Sequence, residues 1–66
     1  MPISEIVLDE SILQANNVRL DPFDKWMVKS NILTAREQGK KNIVDTLRRN
    51  GYPRVAKAVE LLAPED

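Results

Sequence analysis

The sequence predicts an all-α fold: a small domain of three or four helices with a C-terminal helical hairpin, completed by dimerisation. Three observations predict it. Proline stands at a helix start twice, in Asp21-Pro22 and Tyr52-Pro53, where its missing N–H leaves no hydrogen bond unmade. Apolar residues recur at the i, i+3, i+4, i+7 spacing of a helix face. Asn50-Gly51 supplies a left-handed corner between two such stretches, the usual close of a helix.

The N-terminal segment reads in two ways. Ser4 to Gln14 can be drawn as a helix burying Ile6, Val7, Leu8, Ile12 and Leu13. Ile3 to Leu8 is also β-branched enough for a short strand, with Asp9 capping a small helix behind it. The helix is favoured, because a lone strand needs a partner that only Val18 to Leu20 or another subunit offers. Asn16-Asn17 is a turn on either reading.

Asp21 and Pro22 then open a helix, with Asp24 adding negative charge to its first turn. Phe23, Trp26 and Met27 share one face, a face more often turned to the core than to a partner. This helix is expected to end near Lys29 to Asn31. Thr34-Ala35-Arg36-Glu37 has the form of a capping box, so the next helix is expected from Thr34 to Arg49 or Asn50. Ala35, Gly39, Ile43 and Leu47 repeat along it, and Val44 widens the stripe. Gly39 marks either close contact with a neighbouring helix or a break in the element. Val55, Ala58, Val59 and Leu62 form the stripe of the last helix, which Pro64 stops. Tyr52, on the short link, is expected to lay its ring over the hairpin with its hydroxyl in water.

Sixty-six residues allow one domain, residues 1–66, and one core. A domain of this size buries only about 60% of its unfolded surface. The chain has no Cys and no His, so neither disulfides nor a His/Cys zinc site can staple it. A homodimer is therefore favoured over a monomer. The 42% apolar and 30% charged composition is that of a folded chain rather than a disordered one. No apolar run approaches a membrane span. Met1-Pro2-Ile3-Ser4-Glu5 lacks the basic flank of a signal peptide, which makes the cytoplasm the expected location.

The same composition argues against catalysis. The commonest general base and the strongest thiol nucleophile are both missing. Nothing in the sequence marks a base beside Ser4, Ser11, Ser30, Thr34, Thr46 or Tyr52. Asp21/Asp24 reads as helix capping, and Asp9/Glu10 stands alone as a carboxylate pair. Two glycines cannot build a phosphate loop, and no calcium-loop spacing occurs. The expectation is a non-enzyme with no metal and no cofactor.

Charge is unevenly spread. Arg36, Lys40, Lys41, Arg48, Arg49, Arg54 and Lys57 face only Glu37 and Asp45 within residues 36–57, while the remainder holds three basic and eight acidic groups. Much of this has a local explanation: Asp45 can pair with Lys41 and Arg48 along one helix face, Glu60 follows Lys57, and Arg48 and Arg49 suit a helix C-terminus. A regular helix-turn-helix does not fit. Ala35 and Gly39 supply its small residue and turn glycine, but its buried branched position falls on Asp45. With the turn at Gly51 that position falls on Lys57.

Ile43-Val44-Asp45-Thr46-Leu47-Arg48-Arg49-Asn50-Gly51, followed by Val55-Ala56 and Leu62, resembles a helix pair of death-fold interaction domains. A full death fold needs more helices than this chain supplies, and the resemblance implies no functional residues. The expected function is a small regulatory or adaptor module acting on another protein or on a second copy of itself. Its expected contact residues are Trp26, Lys41, Arg48, Arg49, Arg54 and Lys57. Nucleic-acid binding by phosphate contacts from residues 36–57 is the alternative.

Overall fold

A computed structural model of the chain describes residues 7–64, and among these stand four helices and no strand: α1 (Glu10–Ala15), α2 (Pro22–Gln38), α3 (Lys40–Arg49) and α4 (Pro53–Leu62). The all-α expectation holds.

Short polar signals start and stop the first helix. The N–H groups of Ser11 and Ile12 donate to Asp9 Oδ1 at 3.0 and 3.4 Å, so Asp9 is the N-cap of α1. At the other end Val18 N–H donates to Leu13 O and Asn17 N–H to Gln14 O, with Asn17 at φ 57. That pair of bonds is a Schellman motif, with Asn taking the left-handed place usually given to Gly. The continuous helix expected from Ser4 to Gln14 is corrected: Val7 to Asp9 are not helical. Asp9 explains this, because its carboxylate takes the first N–H groups and forces a start behind it. Leu8 and Leu13 are buried as expected, but Val7 and Ile12 are exposed. The strand-or-helix question at Ile3 to Ile6 lies outside the described residues.

The second helix starts as expected. Asp24 N–H donates to Asp21 Oδ1 at 2.7 Å, and Pro22 occupies the first position. It does not end near Asn31. It runs through Thr34 to Gln38, which overturns the capping box. Thr34 Oγ1 donates back to Ser30 O at 3.2 Å, and Asn31 Nδ2 donates to Met27 O at 2.7 Å. Both side chains thus bond within a continuing helix rather than cap a new one. No Gly or Pro occurs between Phe23 and Gln38, so nothing stops the helix before Gly39.

Gly39 is the break. It sits at φ 93, ψ 132, and α3 begins at the next residue. Of the two meanings open for this glycine, the corner is the one observed, and the single helix expected from Thr34 becomes two. The α3–α4 corner follows the sequence closely. Tyr52 N–H donates to Leu47 O and Gly51 N–H to Arg48 O, with Gly51 at φ 85, a second Schellman motif. The last helix then starts at Pro53 and stops before Pro64.

The fourth helix is the centre of the fold, touching α1, α2 and α3. Val55, Ala56, Ala58 and Val59 are buried to within 1% on it. Around them lie Leu8, Leu13, Val28, Ile32, Ala35, Ile43, Val44, Leu47 and Ala63. Small residues at 56, 58 and 63 let the neighbouring helices approach closely. Among the described residues no polar side chain is buried. No helix among them is long and apolar enough to cross a membrane.

Candidate functional site

The second helix has two apolar faces. Val28, Ile32 and Ala35 point into the core. Phe23, Trp26, Ser30, Leu33 and Glu37, spaced alternately three and four residues apart, fall on the opposite side of a helix with 3.6 residues per turn. That alternation is the seam spacing by which one helix meets another. Phe23 is 63% exposed and Trp26 54%, while Leu33 and Met27 are shared with the core. The expectation that the Phe23–Trp26–Met27 face turns inward is therefore corrected for Phe23 and Trp26, while Met27 packs against the core. The reason is that Val28, Ile32 and Ala35 already fill the inward side, and the helices among the described residues leave Phe23 and Trp26 exposed.

The basic residues do not form one patch. Lys40, Lys41 and Arg48 line a groove of about 660 Å³ between α3 and α4, but Asp45 and Glu60 line it too. Arg48 Nη2 donates to Glu60 Oε2 across this groove at 3.2 Å, and Lys40 Nζ donates to Ala63 O at 3.1 Å. The sequence expected Arg48 to pair with Asp45, and Glu60 with Lys57. The bridge between helices forms instead, because α3 and α4 lie side by side. Both partners remain half exposed, so the bridge contributes only tenths of a kcal/mol, up to about 1.

Arg54 and Lys57 lie elsewhere. With Arg19, Asn16, Asn17 and Pro53 they line a smaller depression of about 360 Å³ at the start of α4. Arg49 is exposed at the end of α3 and lines neither groove. Of the predicted contact residues, then, Lys41 and Arg48 come together, Arg54 and Lys57 come together, and Trp26 and Arg49 each stand apart. Arg19 was missed by the sequence reading, since it lies outside the basic segment and only the fold brings it to α4. Phe23 was read as core, although its place beside Trp26 was visible in the spacing.

Among the described residues, no group of three or more Asp, Glu, His or Cys is placed to hold a metal ion. Fold and surface together define a class: among the described residues, a small all-α globule of four helices with two exposed aromatic residues on one helix face. No family model, no curated protein and no solved structure matches the chain. The likeness to a death-fold helix pair accordingly rests on the pattern from Ile43 to Gly51 with Val55, Ala56 and Leu62 alone.

Proposed function

We propose that this chain is a non-catalytic regulatory or adaptor module that works by protein–protein contact through the outer face of α2. One observation carries the reading. Phe23 and Trp26 lie 63% and 54% exposed on a helix whose other side is already packed. Exposed aromatics at seam spacing are suited to a second helix, and Trp is the residue most often found as an interface anchor. The first partner to test is a second copy of the chain, which would add buried surface to a domain short of it.

The test is light scattering or sedimentation from about 10 μM to about 1 mM, the range in which weak association shows. The expected result is a mass rising from 7.5 kDa towards twice that value, with Trp emission shifting to the blue as the indole leaves water. Trp26→Ala should hold the chain monomeric. A monomer throughout, with unchanged emission, would remove self-contact through α2. The split of the basic residues into two grooves counts against a continuous nucleic-acid track along residues 36–57.

A further inference from the structure

We infer that the depression between the α1–α2 connection and the start of α4 is a binding site for a phosphate dianion, free or as a monoester. It stands apart from the α2 face and does not depend on it. Arg19 reaches the depression from one side and Arg54 and Lys57 from the other, with no acidic residue among the described residues that line it. None of the three takes part in an ion pair within the described residues. This sets the site apart from the α3–α4 groove, where Asp45 and Glu60 offset the cations.

The cations carry the argument, and their setting adds to it. Three like charges lining one depression of about 360 Å³ repel one another, and among the described residues no acidic side chain lines it with them. The Schellman turn through Asn17 fixes the backbone that leads into Arg19, and Arg54 stands in the first turn of α4. Arginine forks match phosphate oxygens, and a lysine adds a mobile point charge. A compact dianion suits this arrangement better than a polyanion. Glu60 lies one turn beyond Lys57 on α4 and interrupts any longer basic track.

The phosphate can come free in solution or on a phosphorylated peptide, and the experiment separates the two. Amide chemical shifts of the full chain are followed during titration with inorganic phosphate, and separately with a short phosphoserine peptide, at constant ionic strength. The expected result is saturable shifts at Asn17 to Arg19 and Arg54 to Lys57. Binding should weaken when pH falls below the second phosphate pKa, which is about 6 for phosphoserine. Arg54→Ala and Lys57→Ala should each weaken binding about fivefold to tenfold, whereas Arg49→Ala leaves it unchanged. Clearly tighter binding of the peptide would assign the phosphate to a protein, and equal binding to a small molecule. The inference is overturned by shifts that never saturate. It is equally overturned if Arg49→Ala matches Arg54→Ala, or if a single-stranded oligonucleotide binds across Arg36, Lys41 and Arg49 in place of the depression.

Discussion

Gly39→Ala tests what makes the corner between α2 and α3. Gly39 sits at φ 93, ψ 132, a region that residues with a Cβ enter only with strain of about 1–3 kcal/mol. The alternative for an alanine is to become helical, which its propensity favours by about 1 kcal/mol over glycine. That route joins Pro22 to Arg49 in one helix about 42 Å long, at 1.5 Å per residue. The fold measures 27 Å along its longest axis, so a rod of that length pulls α3 away from α4 and uncovers Ile43, Val44 and Leu47. The strained corner is therefore the smaller loss, at about 2 kcal/mol. A chain of 66 residues has a total stability of about 3–10 kcal/mol, so the loss is a large share of it. Urea unfolding followed by circular dichroism should show the midpoint falling by about 2 M, for a slope of about 1 kcal/mol per M. Gly51→Ala is the control. Its φ is 85, yet an added Cβ meets nothing within 4 Å, so only the conformational term of about 1 kcal/mol applies. A Gly39→Ala chain as stable as the parent would refute the reasoning and place the origin of the corner in tertiary packing.

Two further perturbations follow from the same geometry. Asp21→Ala should destabilise by about 1 kcal/mol through loss of the bond to Asp24 N–H, whereas Thr34→Ala should change stability by less than about 0.5 kcal/mol. Thermal or urea melts in which Thr34 matters more than Asp21 would restore the capping box. For the Arg48–Glu60 bridge, a double-mutant cycle should return a coupling below about 1 kcal/mol that fades in about 0.5 M salt. A salt-insensitive coupling above 2 kcal/mol would mean that the bridge is more enclosed than its half-exposed partners indicate.

Legibility in the sequence followed the strength of the local chemistry. Pro22, Gly51, Pro53 and Pro64 each act through their own backbone, and each marks a boundary where it was expected. Thr34 and Glu37 misled because a threonine hydroxyl can cap a new helix or bond back to the fourth preceding carbonyl, and only its neighbours decide which. Nothing between Phe23 and Gln38 obliged the chain to stop, so the helix continued. The candidate sites were less legible, since a surface is a property of the fold. The spacing of Phe23, Trp26 and Met27 named a face without saying which side the core would take. Val28, Ile32 and Ala35 form a competing stripe on the same helix, and α4 packs against it. Arg19 is separated from Arg54 by more than half the chain, and no local rule connects them.

The placing of the aromatics bears on how strongly the α2 face can bind. The chain has one Phe, one Trp and one Tyr, and all three are exposed, at 63%, 54% and 41%. Among the described residues the buried core consists of Ala, Val, Leu and Ile. Phe23 and Trp26 leave about 250 Å² of aromatic surface in water between them, taking about 200–250 Å² for each full side chain. Covering that area is worth about 6 kcal/mol at about 25 cal/mol per Å², comparable with the stability of the whole domain. A symmetric pair covers it twice, for about 12 kcal/mol, against an association cost of about 4–15 kcal/mol. For a cost of about 4–8 kcal/mol the balance falls at about 4–8 kcal/mol, a dissociation constant between about millimolar and micromolar. Self-association through α2 alone should therefore be reversible and visible only at high concentration. Trp26 supplies about half of the area, so Trp26→Ala removes about 3 kcal/mol from each copy and abolishes the pair. Nanomolar self-association would require more surface than α2 presents, and would move the interface away from Trp26.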